Sequence, residues 1–349
     1  ILNNGQGIFL VDQSSGNFFS QNNLTNNDYG FLIDIASYNA LRENVLTGNN
    51  QSFGVYGRYV SDFIQDIDMS NTVDGKPIYY WINQRDKVVS EDAGYVGIIN
   101  STGIQVKNLN LRNNGQGIMF AYTTHSTIER NTIINSKEAI RLVWSNCNII
   151  SENTISDIYD FGISLVASDN NSIHGNTIAN SNFIGIGLVT SQNNNVSDNT
   201  AINCDWKGIM LSGAHNNTVN RNTITANKGG GIHLIRSNCN LMSENVIANN
   251  KENGISLTAS SSNNTINENT LNQNLIGIDV SFCSGNTFFH NNFMNNSIQV
   301  CASVNYLNIW DDYYPSGGNY WSDYNGVDVE SGPSQDLPGS DGISDTPYI

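Results

Sequence analysis

The sequence predicts an all-β fold: a right-handed parallel β-helix of about 12–13 turns with an irregular C-terminal cap. Three observations predict it. A glycine–isoleucine step returns every 23 residues, at Gly162-Ile163, Gly185-Ile186, Gly208-Ile209, Gly231-Ile232, Gly254-Ile255 and Gly277-Ile278. Within each period, apolar residues alternate over three short stretches broken by Gly, Asn, Asp and Ser, the pattern of half-buried strands joined by tight turns. Asparagine recurs at one phase, at Asn131, Asn153, Asn176, Asn199, Asn222, Asn245, Asn269 and Asn292. Stacked in register, such amides donate to one another along a ladder. Helical periodicity is not sustained, which excludes a helical solenoid.

The step extends towards the N-terminus through Ala139-Ile140, Gly117-Ile118, Gly94-Tyr95, Gly54-Val55, Gly30-Phe31 and Gly7-Ile8. Ser297-Ile298 is a degraded last copy. The interval from Gly54 to Gly94 is too long for one turn. The excess falls within Asn71–Val88, where Ile78-Tyr79-Tyr80-Trp81-Ile82 reads as a hairpin strand with Asp74-Gly75 as its turn. The repeat region is taken as residues 1–304. Residues 305–349 form a cap rich in aromatics, Asp and Gly, in which Trp310, Tyr313, Tyr314, Tyr320, Trp321 and Tyr324 cover the open end of the solenoid.

The chain has 349 residues and a net charge of −16, which disfavours nucleic acid and anionic membrane surfaces as partners. No run of 18 apolar residues exists to span a bilayer. The start in mid-repeat at Ile1 suggests a piece of a larger chain. Low Lys content and heavy Asn/Ser/Thr/Gly use suit an exported, extracellular protein. Asn23, Asn50, Asn100, Asn170, Asn195, Asn216, Asn263 and Asn295 stand in glycosylation sequons. Of five cysteines, Cys147 and Cys239 are four turns apart, too far for a disulfide. Cys283 and Cys301 lie in adjacent turns and leave room for one. No spacing supports a zinc site.

The repeat, of form GIxLxxSxxNxIxxNTI, resembles the parallel β-helix repeats of NosD-type proteins, which include periplasmic copper-maturation factors and sugar-hydrolase-like modules. The segments SNTVDGKPIYYWINQ and GGNYWSDY…GSDGISDTPY resemble a subgroup of archaeal cell-surface proteins. The resemblance implies a β-helix at the cell surface or in the envelope. It implies little about chemistry, because many activities use this scaffold.

Functional candidates come from the outward positions of the Gly-Ile strand. Trp144, Tyr159, Trp206, Arg141, His233 and Arg236 combine aromatic faces with hydrogen-bonding groups, as a sugar ring requires. The first reading is therefore a structural or carbohydrate-binding envelope module, with polysaccharide or envelope components as partners and self-association as a lesser option. The alternative is a polysaccharide hydrolase, lyase or epimerase using Glu138, Asp160, Asp205, Arg141 and His233 in one central groove. A lesser alternative is copper binding, since Met210 and His233 share a column in adjacent turns and suit Cu(I). No cofactor is required. Asp323, Asp328, Asp341 and Asp345, set among Gly and Ser, suit a structural Ca²⁺.

Overall fold

A computed structural model describes residues 1–348. It contains two compact units, Ile1–Asn195 and Val196–Ile349. Each is a solenoid of parallel strands, about 13 turns in all, and the only helical element among the described residues is a short 3-10 turn, Val60–Phe63. The long strands that carry the Gly-Ile step in the first unit are β1 (Gln6–Leu10), β2 (Tyr29–Asp34), β3 (Gln51–Tyr56), β4 (Lys76–Ile82), β5 (Tyr95–Ile99), β6 (Gln116–Ala121), β7 (Glu138–Val143), β8 (Phe161–Val166) and β9 (Ile184–Val189). Those of the second are β10 (Lys207–Ser212), β11 (Ile232–Ile235), β12 (Asn253–Thr258), β13 (Ile276–Val280) and β14 (Ile298–Ala302). Two shorter strands complete most turns, as Ile149–Ser151 and Thr154–Ile158 do after β7.

The step is a packing device. In the first unit Ile118, Ile140, Ile163 and Ile186 pair in register, and in the second Ile209, Ile232, Ile255 and Ile278 do so. All are buried in the core. Except at Ala139, the preceding residue is glycine, because a Cβ would meet the neighbouring turn. One built on Gly162 would lie 2.6 Å from both the Gly185 carbonyl oxygen and Ile178 Cγ2.

Asparagine ladders run up three corners of the solenoid rather than one. In the first unit Asn131 Nδ2 donates to Asn153 Oδ1 (2.9 Å), and Asn153 Nδ2 to Asn176 Oδ1 (2.9 Å). In the second unit, Asn222, Asn245, Asn269, Asn291 and Asn319 form a ladder of the same kind. The rung is Asn291, not the Asn292 that the spacing suggested. Asn217–Asn240–Asn264–Asn286 and Asn227–Asn250–Asn274–Asn296 form the other two ladders of that unit.

Each rung satisfies backbone as well as side chain. Asn153 Oδ1 accepts from the Asn131 amide, and Asn153 Nδ2 also donates to the Ile128 carbonyl. Replacing Asn153 with Ala should therefore strand several buried groups and cost about 2–3 kcal/mol. The test is a lowered urea midpoint with faster amide exchange at Asn131, whose N–H donates to Asn153; unchanged exchange there would refute the ladder's role.

The long interval after Gly54 contributes a strand to the long sheet. The Asp74-Gly75 turn is present, with positive φ at both residues, and Lys76 pairs antiparallel with Val73. The strand it launches, however, is β4, which joins the sheet in parallel with β5, Tyr79 opposite Val96. Val96 in turn stands opposite Ile118. The interval thus holds an additional short turn, 17 residues from Tyr79 to Val96 against 22 from Val96 to Ile118. The strands β1–β2–β3 form a separate three-stranded sheet, in which Phe53 rather than Val55 continues the Ile8–Phe31 row.

The turn Val60–Phe63 covers the outer face of the next strands. Tyr80 donates its hydroxyl hydrogen to the Phe63 carbonyl (2.7 Å). Outward-facing Met119 is fully buried in the same apolar cluster as Phe63, Tyr80 and Tyr95. Arg141 on β7, one rung beyond Met119, keeps a fifth of its side chain open to solvent.

At the C-terminal end of the second unit, Trp310 stacks on Phe288 (4.2 Å) and Trp321 on Phe293 (4.3 Å), with Tyr348 stacked on Trp321. Flat rings continue the core there. Tyr313, Tyr314 and Tyr320 are exposed. All five cysteines are free thiols, including Cys283 and Cys301. No helix among the described residues is long and apolar enough to cross a membrane.

Candidate functional site

The first unit collects its chemistry where β3 is spliced onto the start of β6. Gly54 and Gly115 make the splice possible: a Cβ on Gly115 would lie 2.9 Å from Gly54 Cα. The Gly115 amide donates to the Phe53 carbonyl (2.8 Å), and Gln116 Oε1 accepts from the Val55 amide (3.1 Å) and the Tyr95 hydroxyl (3.3 Å). Tyr56, the last residue of β3, is thereby delivered beside β7, with its hydroxyl donating to the Gly115 carbonyl (3.3 Å).

Two cations stand over the Tyr56 ring, Lys137 Nζ at 5.1 Å and Arg141 Cζ at 5.7 Å from its centroid. Arg141 Nη1 also donates to both carboxylate oxygens of Glu138 at 2.8 Å. Residues three apart on a regular strand face opposite sides, so β7 departs from its pleat at Glu138. Glu138 is only 3% exposed. Both Glu138 oxygens are thus occupied by the one guanidinium.

Asp160 is different. It precedes β8, its amide donates to the Lys137 carbonyl (2.8 Å), and its side chain is half-buried. Burial, reinforced by the neighbouring Glu138 charge, raises its carboxyl above the usual carboxylate range, against the pull of Lys137 and Arg141. Burial, then Glu138, likewise holds the Tyr56 phenol well above its ordinary value. Next to this group opens a cavity of roughly 300 Å³, lined by Phe9, Tyr29, Leu32, Asp34, Tyr56 and Lys137. It offers apolar walls, two phenols, a cation and the Asp34 carboxylate.

The proposed site residues fall into two sets, one in each unit. In the first unit, Glu138, Arg141 and Asp160 come together. Exposed Tyr159 adjoins Asp160 in the chain. Trp144 lies past the far end of β7, half exposed and stacked on Tyr122 (6.3 Å, interplanar 19°). Spacing singled out neither Tyr56 nor Lys137 as a site residue. Tyr56 arrives through the β3–β6 splice, which no repeat count shows.

In the second unit, Asp205 is paired with Lys228 (2.6 Å) at the surface. The Lys207 ammonium is buried, donating to the Gly229 carbonyl and lying 3.2 Å from Glu252 Oε2. His233 meets Trp206 edge to face at 6.1 Å, and its Nε2 lies 3.0 Å from Thr258 Oγ1. Arg236 sits exposed in the turn after β11.

Burial, then Lys207, lowers the His233 pKa from 6.5 to about 4. The unfolded chain therefore binds the proton more tightly, and folding stability should be full above pH 6.5 and fall as the pH drops towards 4. The check is acid-induced opening of amides on β11 and β12, which His233→Gln should delay. An unchanged acid midpoint in that variant would contradict it.

Copper finds few donors here. Met210 stands opposite His233 in register, but it is buried, and the Lys207 charge that acts on His233 opposes a cation. No group of three His, Cys, Asp or Glu side chains able to hold a metal occurs among the described residues. The residues present therefore do not fit a copper centre.

The tail aspartates are engaged in bracing loops. Asp328 accepts from the Asp341 and Gly342 amides, Asp341 from Gly332 and Ile343, and Asp345 from Val329 and Glu330. Asp323 accepts from the Tyr348 hydroxyl. All eight sequon asparagines are exposed.

A family model described as periplasmic copper-binding protein (NosD) matches residues 61–253 and 182–326. No match was found among curated protein sequences. Among solved structures, a double mutant of the periplasmic alginate epimerase AlgG is similar over 80% of this chain and 76% of that one, at 15% identity and TM-score 0.51. The enzymatically active domain of tailspike protein 2 from bacteriophage CBA120 is similar over 74% of this chain and 48% of that one, at 11% identity and TM-score 0.50. At such identities these likenesses show the shared β-helix.

Proposed function

The chain belongs to the NosD family, and from that premise we propose that it is an envelope or extracellular protein whose first unit binds and processes a polysaccharide, with Asp160 as the acid–base group. The observation that carries this reading is the half-buried Asp160 carboxyl, raised above the usual carboxylate range, whose charged and phenolic neighbours Lys137 and Tyr56 line a cavity of roughly 300 Å³. A carboxyl whose pKa moves towards the working pH exchanges protons more effectively with a sugar.

In this reading the apolar walls Phe9 and Leu32 take the face of a sugar ring. Lys137 donates to its oxygens, and Asp160 gives or takes the proton at the reacting atom. Polysaccharide epimerase and tailspike enzymes among the structural neighbours agree with it as precedent for the scaffold. The NosD description, with its periplasmic location, supports placement outside the cytoplasm.

The test is incubation with a panel of neutral and acidic polysaccharides in D₂O, reading reducing ends, product masses and deuterium uptake. New ends or incorporated deuterium are expected. Retention of a polysaccharide without either would overturn the enzymatic part and leave a binding surface.

A further inference from the structure

We propose that the first unit carries a second saccharide subsite, selective for an acidic sugar, in the pocket beside Tyr122 at the trailing ends of the long strands. The inference rests on the polysaccharide reading above and names its substrate class: a chain carrying carboxylate groups.

The pocket encloses roughly 300 Å³ and is walled by Asn83, Gln84, Arg85, Thr102, Thr124 and Tyr122. These side chains offer amides, hydroxyls, a guanidinium and one aromatic ring, the set that holds a sugar by its hydroxyls and its apolar face. Arg85 is exposed and makes no ion pair among the described residues. A guanidinium without a carboxylate in a chain of net charge −16 is available to an incoming one, and its planar fork suits that geometry. Lys87, whose Nζ donates to Gln84 Oε1 (2.6 Å), adds positive charge nearby. Asp86, between the two in sequence, does not line the pocket; its Oδ1 lies against Gly103.

The aromatic wall is held in place at a cost. Tyr122 and Trp144 both have positive φ, 55° and 50°, where bulky side chains are rare. The rungs on either side of this pair carry Asn100, Ala167 and Thr190 in the same left-handed conformation. Hydrogen bonds from the amides of Tyr122, Trp144 and Ala167 to Val143, Val166 and Val189 put these residues in one column. Two aromatics therefore occupy a position that smaller residues fill elsewhere, stacked at 19°, with the outer ring half exposed above Ala167. The pair adjoins the strand that carries the cleft: Trp144 directly follows β7, three residues after Arg141. A polysaccharide lying along β7 would meet both.

The experiment is a titration monitored by tryptophan fluorescence, using the Asp160→Asn protein so that nothing is turned over. The probes are a galacturonate hexamer and a β-linked glucose hexamer. The expected result is fluorescence change with the uronate, affinity for it lowered roughly tenfold by Arg85→Gln, and little effect of that change on the neutral hexamer. Trp144→Ala, at a half-exposed site, should weaken both. Equal uronate affinity in Arg85→Gln, no preference for uronate over glucose, or no binding of either would overturn the proposal. The two readings fail separately. Turnover by the parent protein in the polysaccharide panel without an Arg85 effect on binding removes the subsite alone, while Arg85-dependent binding without turnover by the parent removes the enzyme alone.

Discussion

Asp160→Asn is expected to reduce turnover by about 10²- to 10⁴-fold without unfolding the first unit. The size is that of losing a positioned acid–base group. The amide keeps the volume and the backbone contacts of Asp160, whose amide and carbonyl tie Lys137 and Ile184 into adjacent turns. The sign of the stability change separates chemistry from folding. The Asp160 carboxyl pKa is raised in the folded chain, through burial and then Glu138. The folded state therefore binds the proton more tightly than the unfolded state, and stability falls as the pH rises past the ordinary carboxylate range. Removing the ionisable group removes that penalty, so Asp160→Asn should be at least as stable as the parent at pH 7. Where protonated Asp160 acts as the acid, the parent's rate should fall as the pH rises through its raised pKa. Retained turnover in Asp160→Asn would exclude the residue from the chemistry; lost turnover with a lowered melting temperature would point to damage to the fold.

Much of the scaffold was legible because each rung solves the same packing problem. A Cβ-free position is needed where turns touch, so glycine returns at Gly162 and Gly185, and the buried isoleucine follows. Asparagine returns because one amide satisfies both a neighbouring amide and the backbone. Where two asparagines adjoin, as at Asn291-Asn292, composition does not say which is the rung; the ladder chose Asn291. The phase also slipped at Gly54, which faces Leu32 rather than continuing the Gly30 row. That glycine is there for its contact with Gly115, far away in sequence. The candidate site was legible in part for the same reason. Glu138 and Arg141 lie on one rung and Asp160 on the next, so counting brings them together. Tyr56 and Lys137 meet only through the splice, and the pairing of Glu138 with Arg141 depends on a break in strand alternation. Regular repeats reveal themselves by counting, and this site is built at their irregularity.

That irregularity makes the Glu138–Arg141 pair the feature of the first unit most sensitive to truncation. Arg141→Met is expected to destabilise the unit by about 3–5 kcal/mol, the cost of leaving a buried charge without its partner. Glu138 is almost fully buried, and in the parent the guanidinium is 2.8 Å from both of its oxygens. The remaining nearby cation, Lys137, is committed over the Tyr56 ring. Adding Glu138→Leu to Arg141→Met should restore most of the loss, because a pair of apolar side chains carries no desolvation penalty. The measurement is a double-mutant cycle read by urea unfolding, together with amide exchange on β7 and β8, since a solenoid need not unfold in one step. A cost below about 1 kcal/mol for Arg141→Met would mean that water reaches Glu138 and that the pair behaves as a surface bridge. The same cycle bears on Asp160. The double variant removes both Glu138, the second cause of the raised Asp160 pKa, and Arg141, a smaller opposing one, so the limb on which turnover falls with rising pH should move modestly to lower pH while Asp160 stays in place. The pair would then set the working pH of the site as well as hold the strand.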